Sequence, residues 1–429
     1  MKLVNVAIIT DECITHNMTV TLNAEKGIIT DITPYKPDLD VLIDNENSLD
    51  CSNFWLFPGL IDIHVHLRDL GQSENEDYNT GSLSAINGGF TTVFDMPNKK
   101  PPTNSLERLI NINKLTKNIK SVDIFNYVLI EDELLSESFD WIYGKIYFGG
   151  STATSGVEYS ILDKIATLSG KFFSIHAEDG EIIRQNMLEY DSTNVLDHNK
   201  IRSPKSELKA VKVILQFLQK NNNKNNHYHF AHVTLPETVE IIPNNIQNIS
   251  FEVAPHHLFL CEDDVNELQE LIKVNPPLRS KKDMIALRRL WVEGKIPLLA
   301  SDHAPHTLEN KKSLKPSGIP SLDTNLRLLL DFCITNDINP SIITKTFSSN
   351  PAKIMNMQDK GIITIGSKAD LVLVDPTKSE IISKEIIKSK CKWSPWEGKE
   401  LKGIPIATWK NGRIVSSHPN YHKLKEIMF

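Results

Sequence analysis

The sequence predicts an α/β fold, a (β/α)8 TIM barrel with a small β-sandwich domain formed by the N- and C-terminal segments. Two observations predict it. Eight short apolar runs succeed one another through the middle of the 429 residues, and segments with helical patterning separate them. Alternating strand and helix patterns mark parallel βα units, and eight such units over roughly 250 residues are what a closed barrel requires. The two ends of the chain read differently, as short strands and turns without intervening helices. A doubly wound open sheet is the structural alternative, and the count of eight weighs against it.

In chain order, residues 3–10, 18–23 and 27–32 are the first strand candidates. The barrel runs are 60–66, 91–96, 122–130, 145–148, 172–176, 227–233, 250–254 and 296–301. Residues 369–375 and 404–415 are strand candidates near the end. The expected division is a small β-rich domain from 1–56 and 360–429, and a barrel over 57–359. The asparagine-rich stretch 220–226 lies between a helix and a strand and reads as a solvated connector.

Composition bounds the function. Hydrophobic residues are 40% and charged residues 24%, as in an ordinary soluble globular protein. A net charge of -7 argues against nucleic acid as a partner, so an anionic substrate would need locally placed cations. Cys13, Cys51, Cys261, Cys333 and Cys391 show no CxxC spacing, which fits reduced thiols in a cytoplasmic protein. The apolar start is too short for a signal peptide and ends at Thr10-Asp11-Glu12. No run approaches the ~20 apolar residues of a membrane span. The expected partner is a small molecule, with neither nucleic acid nor membrane.

His64-Val65-His66 closes the first barrel run, and residues i and i+2 of a strand point to the same side. Two imidazoles projecting together suit one metal ion, although an isolated HxH is more often a pair of surface histidines. Other strand ends change that balance. Lys145 opens the fourth run, His176 closes the fifth, His232 the sixth and Asp302 the eighth. Barrel active sites are built at such ends, and four histidines with a carboxylate suit zinc. A lysine among metal ligands makes sense as a carbamate, which is anionic and can bridge two cations. His229 competes with His232; three residues apart, the two would face opposite ways, which leaves His229 a packing role.

The stretches Pro58-Gly59-Leu60-Ile61-Asp62-Ile63-His64-Val65-His66-Leu67-Arg68, Gly88-Gly89-Phe90-Thr91-Thr92-Val93, Met96-Pro97-Asn98, Val253-Ala254-Pro255-His256-His257-Leu258, Lys273-Val274-Asn275-Pro276-Pro277-Leu278-Arg279 and Ser301-Asp302-His303-Ala304-Pro305-His306 resemble the amidohydrolase superfamily, and within it the dihydroorotases, over most of the chain. That resemblance implies two zinc ions: one held by His64, His66, Lys145 and Asp302, the other by Lys145, His176 and His232. It makes Asp302 the general base and then acid in the reversible cyclisation of N-carbamoyl-L-aspartate to dihydroorotate in pyrimidine biosynthesis. Arg68, two residues beyond His66, offers a planar fork to a substrate carboxylate. Asn98, Asn275, His306 and the backbone near Gly318 complete the expected substrate contacts. The plainer alternatives are a surface ion pair for Arg68 and turn positions beside proline for Asn98 and Asn275.

Leu70, Ser321 and Asp323 depart from the family pattern at loop positions, away from the metal residues. Two rivals remain at this stage: a dihydropyrimidinase, hydantoinase or allantoinase, whose substrate lacks a carboxylate, and an inactive dihydroorotase-like partner of aspartate carbamoyltransferase. A homodimer and association with aspartate carbamoyltransferase are the expected assemblies.

Overall fold

The computed structural model describes residues 1–37, 48–135, 141–150, 155–221, 225–243 and 248–421. The chain begins with β1 (Lys2–Ile9), β2 (Ile14–Asn23), β3 (Ile28–Pro34), β4 (Ser48–Asp50) and β5 (Trp55–Pro58). The barrel positions follow: β6 (Leu60–Val65), β7 (Phe90–Asp95), β8 (Asp123–Asn126), β9 (Val128–Leu129), β10 (Tyr143–Tyr147), β11 (Phe172–His176), β12 (His227–Phe230), β13 (Ile249–Val253) and β14 (Leu298–Leu299). Then come β15 (Leu371–Ile381), β16 (Glu400–Lys410) and β17 (Arg413–Ser417).

All barrel pairings are parallel, in two arcs, β6-β7-β8 and β9 to β14. The single third strand expected over 122–130 is broken at Tyr127: β8 pairs with β7, and β9 pairs with β10. The Tyr127 hydroxyl donates to the Ile63 carbonyl at 3.1 Å, tying the break to β6. The arcs close where Val65 bridges His303, with His66 N–H donating to the His303 carbonyl at 2.7 Å.

The register of β6 decides where its histidines point. Asp62 pairs with Val93 and Val65 with Asp95, so three steps on β6 face two on β7. This is a bulge, and it breaks the alternation. Ile61 and Ile63 join Phe94, Tyr127, Phe172 and Leu298 in one apolar cluster. His64 and His66 nevertheless reach the same central site (below). Asp62 holds the bulge by accepting from the backbone N–H groups of His64 and Ser301, both at 3.1 Å.

The terminal segments, expected as a small β-sandwich domain, form a separate β layer: one continuous sheet in the order β17-β16-β15-β5-β1-β2-β3, with β4 beside β1. The period of two in β15 shows how it docks: Val372 and Val374 pack into the barrel core, Leu371 and Leu373 into the sheet's own cluster. The single strand expected over 404–415 is a hairpin. Asn411 and Gly412 have φ of 50° and 75°, the left-handed pair that a tight two-residue turn requires. Between β15 and β16 the chain lays Ile382, Ile387, Trp393 and Trp396 against Ile272, Val274, Leu278 and Ile319, beside the barrel mouth. In the asparagine-rich stretch, a helix (Pro204–Asn221) runs into it and residues 222–224 lie outside the described residues. Asn226 at its far end is buried rather than solvated, accepting from Lys171 N–H at 3.0 Å. Among the described residues no helix is long and apolar enough to cross a membrane.

Candidate active site and metal centre

The C-terminal ends of the barrel strands bring His64, His66, Asp302, His176 and His232 around one small cavity, together with Arg68, Asn98, Tyr147, Asn275, Ala304, Ser317 and Gly318. Lys145 lies beneath, fully buried, its Nζ donating to Ser174 Oγ at 3.1 Å.

The site has two clusters. In one, the ligand atoms of His64, His66 and Asp302 all lie within 4.8 Å of one another; Asp302 Oδ1 is 3.5 Å from His64 Nε2 and 3.1 Å from His66 Nε2. In the other, His176 Nδ1 faces His232 Nε2 at 3.0 Å. Three of these rings are oriented from behind. His64 Nδ1 is 2.6 Å from Glu252, His66 Nδ1 is 2.7 Å from Asn98 Oδ1, and His176 Nε2 is 2.8 Å from Glu178. Fixing one ring nitrogen leaves the other turned to the centre, as metal-ligating histidines require. His232 Nδ1 is buried without a partner.

Electrostatics favour neutral imidazoles with free lone pairs. Burial lowers the pKa of all four histidines, and for His64 and His232 by a wide margin, with Lys145 adding to the effect at His64, His176 and His232. Burial also brings the Lys145 amine down to about 8, against the pull of Glu252 and Asp302. Burial would raise the Asp302 carboxyl, but the hydrogen bond from His66, with His256 and Lys145 nearby, holds it below the ordinary range. Neutral nitrogens, a carboxylate and an uncharged-capable amine in a dry pocket are a donor set that fits divalent metal.

The strand positions explain two surprises. β12 ends at Phe230, and His232 has a φ of 38°, so it is no longer part of the alternation that separated it from His229. His229 also enters the interior, with Nδ1 2.7 Å from Ser250 Oγ and Nε2 2.9 Å from Glu252 Oε2. The packing role expected for it is therefore a polar one, sharing Glu252 with His64. Asp302 likewise has a left-handed φ of 46°, which turns its carboxylate toward the histidines.

Among the expected substrate contacts, Arg68 is buried, with its terminal nitrogen 3.2 Å from His306 Nε2 and its Nε unpartnered. His306 Nε2 also lies 3.1 Å from the Ser317 carbonyl; one tautomer serves only one of these two contacts. The His306 backbone is held by Trp393, whose Nε1–H donates to its carbonyl at 2.7 Å. Asn98 touches His66 as well as the cavity, and Asn275 Oδ1 accepts from Ser317 Oγ at 3.0 Å. Sequence reasoning missed Glu252, Glu178 and Tyr147. A charged residue inside the otherwise apolar run Phe251-Glu252-Val253, and an acid two residues after His176, were the available signals.

The amidohydrolase family profile matches residues 55–415. The chain belongs to the amidohydrolase family. Sequence relatives include a dihydroorotase of Thermococcus kodakarensis, 35% identical over 400 residues that cover 92% of this chain and 90% of the relative. A dihydroorotase of Pyrococcus horikoshii is 38% identical over 364 residues, 84% of this chain and 80% of the relative. Among solved structures, the L-hydantoinase (dihydropyrimidinase) of Arthrobacter aurescens superposes with a TM-score of 0.88 at 23% identity, covering 97% of this chain and 96% of its own. At that identity the likeness speaks for the amidohydrolase barrel and its flanking sheet alone.

Proposed function

We propose that this amidohydrolase is a dihydroorotase with two divalent cations, zinc being the expected metal, at its barrel mouth. Arg68 carries the reading. It is a buried guanidinium that pairs with no carboxylate among the described residues, and it lines the same cavity as the histidines. An unpaired buried cation calls for an anionic ligand, and the dihydroorotate ring has a carboxylate where dihydropyrimidines and hydantoins have none. The dihydroorotase relatives support the same choice.

His64, His66, Asp302 and a carboxylated Lys145 would hold one cation, and Lys145, His176 and His232 the other. Bound there, the cations supply Lewis acidity and lower the pKa of water. Burial brings the Lys145 amine down to about 8, which enlarges the neutral fraction whose lone pair carbamate formation with carbon dioxide needs. In hydrolysis a C–O bond forms at the ring amide carbonyl while the C–N bond breaks. Asp302 takes the proton from the attacking water and returns it to the leaving ring nitrogen, giving N-carbamoyl-L-aspartate. Ring closure is the reverse and releases the water. Arg68 grips the substrate carboxylate, with Asn98, Asn275 and His306 around it.

Turnover of dihydroorotate by the purified, metal-loaded protein tests this against dihydrouracil, hydantoin and allantoin. Faster hydrolysis of any of the three neutral rings would sink the reading. A homodimer, docking on aspartate carbamoyltransferase and a cytoplasmic location belong to the same proposal; size-exclusion chromatography with and without the carbamoyltransferase tests the first two.

A further inference from the structure

Behind the cavity wall lies a lysine that the chemistry above does not use. Lys311 sits in the short helix Leu308–Ser313 and is fully buried. Its Nζ donates to three backbone carbonyls: Pro316 at 2.9 Å, Gly318 at 3.0 Å and Lys273 at 3.3 Å. Three carbonyl acceptors converge on one Nζ, a group that can offer up to three N–H bonds. Among the described residues no carboxylate lies in salt-bridge contact with it, and burial, with Lys273 beside it, lowers its pKa well below the ordinary lysine value; this is a second buried basic group near the mouth, held by carbonyl dipoles. Such a group is expensive to keep unless its position is used.

The three carbonyls belong to two separate loops, and both reach the cavity. One precedes Asn275; the other contains Ser317 and Gly318. Gly318 N–H also donates to the Lys273 carbonyl at 2.8 Å, so the Lys311 amino group and this bond clasp the loops together. The fit is tight. Gly318 has a φ of 132°, and a Cβ there would lie 2.5 Å from the Ala304 carbonyl oxygen. From this clasp a chain of contacts leads to the guanidinium. His306 Nε2 lies 3.1 Å from the Ser317 carbonyl and 3.2 Å from Arg68 and hydrogen-bonds one of them at a time, in van der Waals reach of both; Ser317 Oγ separately donates to Asn275 Oδ1 at 3.0 Å.

We propose that Lys311 is a positioning residue for the substrate carboxylate: its amino group clasps the loops of Lys273–Asn275 and Pro316–Gly318, and so sets His306, Asn275 and Arg68 at the spacing an anionic ring needs. The inference rests on the reading of the site as one that binds a ring carboxylate. Lys311 touches neither the metal-ligand residues nor the cavity, so its effect falls on substrate binding rather than on the bond-making step.

The test uses the full-length, metal-loaded protein, with Lys311→Gln (two N–H donors on a shorter stem), Lys311→Met (no donors), and the exposed neighbour Lys312→Gln as control. Steady-state kinetics with dihydroorotate are paired with calorimetric binding of orotate, its unsaturated analogue. Both Lys311 variants are expected to raise KM and the orotate Kd about tenfold or more, with kcat within about threefold and metal content unchanged. The Lys312 variant should match wild type. Unchanged KM and Kd in well-folded Lys311 variants would overturn the proposal, as would a fall in kcat at constant KM. Failure of both variants to fold, shown by circular dichroism, would assign Lys311 to stability alone and equally overturn it. If the wild-type protein neither turns over dihydroorotate nor binds orotate, the dihydroorotase reading itself falls, and this inference with it.

Discussion

The floor and the mouth of the barrel interior are lined by the same strands and solve opposite problems. On the floor, Ile61, Ile63, Phe94, Tyr127, Phe172 and Leu298 pack together, and Phe94 stacks on Phe125 with ring centroids 4.8 Å apart. These side chains satisfy one another by burial and shape. A few residues further along the same strands stand His64, His66, Lys145, His176, His232 and Asp302, all buried and all polar. Their order comes from outside the cluster, through Asn98, Glu178, Glu252 and Ser174. The floor stabilises the fold by itself; the mouth gathers a His64–His66–Asp302 cluster that could hold a metal ion, which the apolar floor could not.

Substitutions at the two levels should therefore separate activity from stability. The largest effect is expected at the mouth. Lys145→Ala should lower dihydroorotate turnover on the order of a thousandfold or more, with partial recovery in added acetate or propionate and little change in melting temperature. Undiminished activity in that variant would rule out a bridging carbamate. Arg68→Met should follow, raising KM for dihydroorotate and lowering kcat/KM by about 2–4 kcal/mol, as for loss of a buried charge-assisted contact.

Phe94→Ala tests the floor. It should reduce unfolding stability by about 3–5 kcal/mol in denaturant titration, while kcat per folded molecule stays within a few-fold of wild type. If activity fell as steeply as at Lys145, the two levels would not be separable. Glu252→Gln should weaken metal retention roughly 10–100-fold in chelator competition, because it loosens the hold on His64 without removing a ligand.

The smallest effect is a pH slope in the metal-free protein. Burial, opposed by Lys145, raises the Glu252 carboxyl from 4.5 to about 8. A carboxyl raised in the folded state contributes stability that is full below pH 4.5 and lost as pH rises through about 8. The lowered histidines act with the opposite sign, losing stability as pH falls below 6.5, and they are present in both proteins. The difference between wild type and Glu252→Gln thus isolates Glu252: metal-free Glu252→Gln should lose less stability between about pH 5 and 8 than metal-free wild type. Parallel thermal-melt profiles over that range would remove Glu252 as a buried acid.

Much of the site was legible in the sequence because its residues are local events at strand ends. Each of His64, His66, His176 and Asp302 ends or directly follows an apolar run, and such runs are the strongest pattern a sequence carries. Arg68 was legible because it lies two residues past His66. Glu252 and Lys311 were not, since their meaning depends on partners far along the chain: Glu252 on His64, and Lys311 on Lys273 as well as its own loop. The simple alternation used to set His229 against His232 failed for a related reason, since it holds only while the strand continues, and β12 stops at Phe230.

By itself, the order of residues determined the parallel barrel, the β-rich ends and the strand termini where the candidate site lies, because hydrophobic periodicity and turn residues act over a few positions. Tertiary structure alone decided the bulge at Asp62, the break at Tyr127, the left-handed turns at His232 and Asp302, and the carboxylates and carbonyls that aim each functional group. Those depend on closing a ring of strands, where the last must meet the first, and no local pattern records how the residual mismatch in register is absorbed.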